Sequence, residues 1–138
     1  MPVPERGVRV RLWAQRYAIA RLAAVPPGWT PPDAGGAPVC LVIGNGEVSF
    51  LAPEDLVERY QGLIEQLAGG WRAITLDAVL PLSTVGLLAA VSRALAEVGI
   101  PVLCFASHDT DHFLVPEAQL GRALAVLHQV DLDSLLAV

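Results

Sequence analysis

The densest group of reactive side chains follows an apolar stretch near residue 105. The turn His108-Asp109-Thr110-Asp111 places two carboxylates within three residues, and His112 follows directly. Carboxylates at that spacing can bind the amino group of a ligand or a metal ion. A solvated hairpin turn that uses aspartate for local backbone hydrogen bonds explains the same residues equally well. A metal is less favoured, since the spacing of His108 and His112 matches no specific closed ligand set.

A second candidate is the segment Leu82-Ser83-Thr84-Val85-Gly86, which precedes a helical pattern. Ser83 or Thr84 can cap that helix, whose unpaired backbone N–H groups can receive a carboxylate. Gly86 would let a ligand approach closely, although an ordinary N-cap followed by a tolerated glycine is the alternative. This segment and the His108 turn become neighbours if the strands on either side of the helix run parallel.

Both candidates lie in a β-α-β-β-α pattern in the second half of the chain. The pattern predicts, in order, a strand at 71–76, a helix from Thr84 to Val98, a strand at 100–106, a return strand at 112–115 and a last helix opened by Pro116-Glu117. Gly99 is the expected stop of the first of these helices. A split βαβ, ferredoxin-like unit requires this order of elements.

The first half predicts a similar order with one helix missing. The expected elements are a strand within 9–22, a Pro/Gly-rich loop at 25–38, a hairpin around Asn45-Gly46 and a helix that starts at Pro53 and ends at Gly69-Gly70. The helix is indicated by apolar residues at helical spacing, namely Leu56, Tyr60, Leu63, Ile64 and Leu67.

A short internal repeat links the two halves. Phe50-Leu51-Ala52-Pro53-Glu54 recurs as Phe113-Leu114-Val115-Pro116-Glu117, each where a strand passes into a helix. We therefore predict an α+β sandwich of two fused units, 9–69 and 70–138, in one compact domain. Its first unit lacks a full first helix and has the loop in that place. Open sheet edges favour pairing with a second copy, so we expect a homodimer.

Composition limits the classes of function. Hydrophobic residues make up 54% of the chain and charged residues 17%, which argues against disorder. A net charge of -5 without a basic stripe opposes binding to nucleic acid. No apolar stretch reaches the roughly 20 residues that span a bilayer, and no signal-peptide pattern is present, so we expect a cytoplasmic protein that does not bind membranes. Cys40 and Cys104 lie in apolar runs and are expected to pack as small hydrophobes.

Several segments, in this order, resemble ACT domains: Phe50-Leu51, Trp71-Arg72-Ala73, Leu82-Ser83 through Gly86, the Gly-Ile-Pro-Val run at 99–102, and Asp109-Thr110-Asp111 through Leu114-Val115. Over about residues 11–128 the chain is most similar to small bacterial proteins with two fused ACT-like units, akin to aspartate kinase regulatory domains and cytosolic arginine sensors. The resemblance implies a βαββαβ fold, side-by-side association of sheets and an amino acid or similar effector bound between units. By position it assigns the ligand contacts to Ser83, Thr84, Val85, Gly86, Ser107, His108, Asp109 and Asp111. His108 and His112 depart from the family pattern, which has aromatic residues there.

The leading hypothesis is a non-enzymatic regulatory or sensor protein that binds an amino acid effector and needs no cofactor and no metal. Backbone N–H groups near Ser83 to Gly86 would take the ligand carboxylate, and Asp109 or Asp111 would take its ammonium group or a basic side chain. One alternative is a structural or protein-interaction module without a small ligand. Another is a metal-dependent enzyme that uses His108 and His112. The motifs of serine hydrolases, P-loop proteins and dinucleotide-binding enzymes are missing from the sequence.

Overall fold

The computed structural model describes residues 9–132, which form two compact units. The N-terminal unit is Trp13–Ala73, and the C-terminal unit comprises residues 9–12 and 74–132 of the described chain. The boundary predicted between residues 69 and 70 stays a prediction. Residues 1–8, searched for a signal peptide, and residues 133–138, assigned to the second unit, lie outside the described range.

The secondary structure consists of six strands, three α-helices and two short 3₁₀ turns within the described range. The strands are β1 (Val10–Leu22), β2 (Cys40–Gly44), β3 (Glu47–Pro53), β4 (Ile64–Leu76), β5 (Leu103–Ala106) and β6 (Asp111–Pro116). The helices are α1 (Glu54–Glu58), α2 (Leu87–Glu97) and α3 (Leu120–His128), and the 3₁₀ turns are Gln61–Leu63 and Glu117–Gln119. None of the helices within residues 9–132 is both long enough and apolar enough to cross a membrane.

In the N-terminal unit the strands lie in the order β2-β3-β1-β4. β2 and β3 form an antiparallel hairpin in which Gly44 pairs with Glu47. The two residues between them, Asn45 and Gly46, have φ values of +53° and +73°, as a type I′ turn requires. The predicted hairpin is confirmed.

The Pro/Gly-rich loop of residues 25–38 packs against the core of this unit. Trp29 lies edge-on to Phe50 with ring centroids 6.4 Å apart, and Phe50 meets Tyr60 in the same way at 5.5 Å. The Tyr17 hydroxyl donates a hydrogen bond of 2.9 Å to the carbonyl oxygen of Pro38, which fixes the end of the loop. The predicted loop is confirmed, and aromatic packing covers the core where the proline content prevents a helix.

The first predicted helix is wrong beyond its opening turns. α1 ends at Glu58, and β4 begins at Ile64. Leu67, which the helical spacing placed on a buried stripe, is 56% exposed. Gly70 is not a helix stop but a strand residue with a φ of +78°, and its N–H donates to Glu54 Oε1 at 2.8 Å. The residues from Ile64 onward therefore pair with β1 as a strand, although their apolar residues have helical spacing. In a short segment such spacing does not distinguish a helix from a strand.

In the C-terminal unit the strands lie in the order β4-β6-β5. Because β6 lies between β4 and β5, the chain from β4 through α2 to β5 passes over one strand position. α2 and α3 contact each other and share one hydrophobic core with the strands. Its buried members include Ile74, Leu76, Val91, Leu95, Phe113, Val115 and Leu127. The predicted element order of this half is confirmed.

The repeated sequence forms a strand-to-helix junction in both halves. β3 ends at Pro53 and β6 ends at Pro116, and each proline is the N-cap of the helical turn that follows, with ψ values of 139° and 138°. A glutamate begins each turn. The predicted junctions are confirmed, although the prolines cap the helices instead of forming their first residue.

β5 lies at the outer edge of the sheet in the C-terminal unit and is shorter than predicted. It begins at Leu103, not at Ile100, since Pro101 has no N–H group for strand pairing. Cys104 on this strand is exposed, so the prediction that it packs as a small hydrophobe is wrong. Cys40 is half-buried, and burial raises the pKa of its thiol.

Candidate ligand-binding site

A cavity of about 570 Å³ lies in the C-terminal unit. It is lined by the residues around the start of α2 and by the turn between β5 and β6. Five of the predicted contact residues line it, namely Thr84, Gly86, Ser107, His108 and Asp111. Ser83, Val85 and Asp109 are not among its lining residues. The structure thus brings the two predicted segments together at one cavity.

Two hydrogen bonds fix the β5–β6 turn against the end of β4 and the loop after it, and a third lies within the turn. The N–H of Leu80 donates to the carbonyl oxygen of Asp109 at 2.6 Å, and the Thr110 hydroxyl donates to the carbonyl oxygen of Leu76. Within the turn, the Ser107 N–H donates to the carbonyl oxygen of Thr110 at 2.8 Å. Asp109 therefore helps to build the cavity through its backbone.

No side chain within residues 9–132 caps the N-terminus of α2. Gly86 occupies the N-cap position with a φ of +91°, a conformation that favours glycine. The turn before it is closed by a 2.9 Å hydrogen bond from the Thr84 N–H to the carbonyl oxygen of Pro81. The prediction that Ser83 or Thr84 caps the helix is therefore wrong, and the helix begins later than predicted. The first-turn residues 87–89 line the cavity, where a helix N-terminus favours an anion.

Apolar side chains form much of the remaining wall. Leu80, Pro81 and Leu82 contribute from the loop, and Leu87 and Leu88 contribute from α2. Leu82 is 78% exposed and Leu88 is 50% exposed. Leucines left open to solvent beside a cavity are suited to contact an apolar part of a ligand.

One carboxylate lines the cavity. Asp111, the half-buried first residue of β6, is the only acidic residue among the described residues that line it, and no arginine does so. Asp109 is exposed, and its Oδ1 lies 2.7 Å from Nδ1 of His108, whose side chain is 83% exposed. Asp111 therefore supplies the negative charge of the site, for which an ammonium group is the natural complement.

Comparison with known families identifies the part of the chain that contains this cavity. No protein with a curated description matches the sequence. The ACT domain family model matches residues 66–129, a range that includes every residue lining the cavity. Residues 66–129 therefore resemble an ACT domain. ACT domains are regulatory, and many bind amino acids.

Solved structures extend the likeness to most of the chain. A protein from Agrobacterium tumefaciens has a TM-score of 0.70 at 22% identity, over 88% of this chain and 87% of that one. A Vibrio cholerae protein of unknown function, described as a possible transport protein, gives 0.70 at 23% identity over 90% of each chain. The ligand-free regulatory subunit of aspartate kinase from Thermus thermophilus gives 0.61 at 16% identity, over 88% of this chain and 95% of that one. These similarities show an ACT-type α+β fold with an antiparallel sheet and few helices.

The C-terminal unit also contains two buried polar residues, Thr75 and His112, which the sequence did not assign to the ligand contacts and which connect to the predicted contact Ser107. Nδ1 of His112 lies 2.8 Å from Thr75 Oγ1, and Nε2 lies 2.5 Å from Ser107 Oγ. His112 is 5% exposed and Thr75 is 8% exposed. Burial lowers the pKa of His112, and the negative charge of Asp111 opposes this with a smaller effect. In the sequence, the sign of this pair is that Thr75 and His112 are each a polar residue next to apolar residues of a strand.

The two histidines of the metal-enzyme alternative do not form a ligand set. Both ring nitrogens of His112 lie within hydrogen-bonding distance of hydroxyl groups, while Nδ1 of His108 pairs with Asp109. Within residues 9–132, no group of three or more His, Cys, Asp and Glu side chains is placed to hold a metal ion. The described geometry therefore gives this alternative no support.

Proposed function

We propose that this chain is a regulatory sensor protein without catalytic activity, and that it binds a free amino acid in the cavity of its ACT domain. The observation that carries the proposal is that, among the described residues, one cavity combines a helix N-terminus without a side-chain cap and a single carboxylate. A free amino acid carries a carboxylate and an ammonium group on the same carbon atom. The cavity therefore offers a complement to each charge.

In this proposal the ligand carboxylate accepts hydrogen bonds from the first-turn N–H groups of α2. No side chain of the described part of the protein caps these groups, and the helix dipole favours a negative charge beside them. Gly86 has no side chain to separate the ligand from this backbone. Thr84 lies on the same wall and can donate its hydroxyl hydrogen to the carboxylate.

The ligand ammonium group lies against Asp111, with Ser107 and His108 beside it on the β5–β6 turn. This proposal assigns no direct contact to Asp109, because its exposed side chain pairs with His108 and it is not among the residues that line the cavity. The ligand side chain then faces the apolar wall, which favours an apolar amino acid over a charged one.

We further propose that the chain contains two fused ACT-like units and acts as a cytoplasmic homodimer. The repeated junctions at Pro53 and Pro116 support the fused units. The free thiols of Cys40 and Cys104 suit a reducing compartment. Val42 and Ile43 on the edge strand β2 are 57% and 61% exposed, and such an edge favours pairing with a second copy. A monomer in sedimentation velocity would contradict the dimer.

A thermal-shift screen of the twenty standard amino acids against ligand-free protein tests the binding proposal. At a concentration of 100 times Kd, a bound amino acid adds about 2.7 kcal/mol to the free energy of unfolding. We expect at least one amino acid to produce a saturable increase. The absence of a shift with every amino acid, from protein shown to be free of retained ligand, would refute the proposal.

Two matched variants locate the binding in the cavity. Asp111→Asn removes the charge that faces the ammonium group, so we expect at least a tenfold loss of affinity, about 1.4 kcal/mol. Asp109→Asn changes an exposed carboxylate next to the cavity and should leave the affinity within about twofold of wild type. Equal affinities in both variants would place the ligand elsewhere.

A further inference from the structure

A chain of three polar side chains connects β4 to the cavity. Thr75 Oγ1 lies 2.8 Å from His112 Nδ1, and His112 Nε2 lies 2.5 Å from Ser107 Oγ. Thr75 and His112 are buried, whereas Ser107 is exposed and lines the cavity. The histidine therefore lies behind a serine that a ligand can touch.

The protonation state of His112 determines whether the Ser107 hydroxyl can donate as well as accept a hydrogen bond toward the cavity. A neutral imidazole has one donor nitrogen and one acceptor nitrogen. When Nδ1 donates to Thr75, Nε2 accepts the hydroxyl hydrogen of Ser107, and the lone pairs of Ser107 Oγ remain for a donor in the cavity. When both nitrogens carry hydrogens, Nε2 donates to Ser107 instead, and the serine hydroxyl hydrogen turns toward the cavity. Starting from the Nδ1–H tautomer, one added proton thus frees the Ser107 hydroxyl hydrogen to face the cavity and leaves one lone pair there instead of two.

Resting on the proposed amino acid site, we propose that neutral His112 is a positioning residue that holds Ser107 as a hydrogen-bond acceptor for the ligand's ammonium group. An ammonium group has three donors, and the Asp111 carboxylate is the only charged acceptor among the described lining residues. Ser107 supplies a second acceptor on the same turn. His112 thereby selects ligands with an ammonium group without touching them.

The surroundings of His112 favour its neutral form. β4 presents the uncharged hydroxyl of Thr75, and β5 presents the Phe105 ring, whose centroid lies 4.8 Å from that of the imidazole. The charged group that acts on the histidine is Asp111, its neighbour on β6. Burial outweighs this charge and holds the pKa of His112 below its ordinary value. A proton on His112 would also place a positive charge behind the ammonium site.

The direction of the pH dependence follows from linkage. Because the ammonium ligand binds the neutral form better, binding lowers the pKa of His112 further. Affinity is full above the pKa of His112 in the free protein, which lies below the ordinary value of about 6.5. It falls as the pH drops through that pKa, by at most about tenfold per pH unit.

Isothermal titration calorimetry between about pH 7.5 and 5.5 tests this role. The probe is the standard amino acid that stabilises the protein most in the screen, with L-leucine as first choice because of the apolar wall. We expect His112→Phe and Ser107→Ala each to lose about tenfold in affinity at the higher pH. The double variant should lose no more than either single variant, because both remove the same hydrogen bond to the ligand.

His112→Gln separates positioning from packing. A glutamine amide can accept the Ser107 hydroxyl hydrogen but does not titrate, so this variant should bind within about threefold of wild type at the higher pH and lose the acid-induced weakening. It also keeps the test decisive if the phenylalanine variant does not fold. His128→Gln, at the exposed end of α3, is the matched control and should keep the wild-type pH profile.

The outcomes distinguish this role from the proposed function. Equal affinities for wild type and His112→Phe overturn the positioning role and leave amino acid binding intact. An acid-induced weakening that persists in His112→Gln overturns it as well. Failure of every amino acid to bind the wild-type protein overturns both.

Discussion

Phe50 in the N-terminal unit and Phe113 in the C-terminal unit begin the same repeated sequence, and both are fully buried. They are covered by different structures. Trp29, from the Pro/Gly-rich loop, packs edge-on against Phe50, whereas Phe113 belongs to a core that includes Val91 and Leu95 of α2. Both solutions bury the phenylalanine completely, so a loop with one large aromatic residue can replace a helix as a cover.

The two covers differ in what they offer a ligand. Among the described residues no side chain caps α2, which begins beside the β5–β6 turn, and a cavity of about 570 Å³ forms there. Two cavities of the N-terminal unit measure about 250 and 280 Å³, and neither contains a helix of more than five residues in its lining. A loop can close a core, but it does not supply the aligned N–H groups of a helix N-terminus. We therefore expect ligand binding in the C-terminal unit.

Truncating a side chain of α2, which covers Phe113, or Trp29, which covers Phe50, should give the largest effects on stability. Leu95→Ala in α2 removes a fully buried side chain and should lower the free energy of unfolding by about 2–5 kcal/mol. Trp29→Ala should cost about 2–3 kcal/mol, since the half-buried indole still forms the aromatic contact with Phe50. Urea denaturation measures both.

Trp29→Phe is the matched control for the loop. The Trp29 Nε1 atom is buried without a hydrogen-bond partner among the described residues, so phenylalanine keeps a ring and removes an unsatisfied donor. We expect a change within about 1 kcal/mol. A cost below about 0.5 kcal/mol for Trp29→Ala would show that the loop does not act as the cover of this core.

Two glycine-to-alanine substitutions should change stability less, and in opposite directions. Gly86→Ala forces a side chain into a φ of +91° at the start of α2 and should destabilise the protein by about 1–2 kcal/mol. Gly121→Ala lies in α3 with no atom within 4 Å of the added methyl group, and it should stabilise the helix by about 0.5–1 kcal/mol. Thermal unfolding of the two variants checks the opposite signs. Equal shifts would mean that the Gly86 conformation is not required.

Structural features that depend on a few adjacent residues could be predicted from the sequence. The Asn45-Gly46 turn, the junctions at Pro53 and Pro116, and the end of α2 at Gly99 each depend on a few adjacent residues with narrow backbone preferences. Such preferences act regardless of what packs against the segment. These predictions are confirmed for that reason.

Features that depend on residues far apart in the sequence could not be predicted in this way. The sequence predicts that Gly70 ends a helix. In the structure Gly70 lies in a strand with a positive φ, and its own N–H donates to the side chain of Glu54, 16 residues earlier. Gly86 took the N-cap position expected for a serine or threonine. The pairing of Thr75 with His112 joins residues 37 positions apart, and only the fold brings them together. The candidate segments of the cavity were identifiable because each is a local break in an apolar pattern.

Backbone amide NMR during titration with the most stabilising amino acid tests the central claim directly. We expect chemical-shift changes concentrated at the first-turn amides of α2, residues 87–89, and at the β5–β6 turn, residues 107–111. The amides of the Asn45-Gly46 hairpin in the N-terminal unit should not move. Changes centred on the N-terminal unit, or saturable binding that leaves the first turn of α2 unaffected, would contradict it.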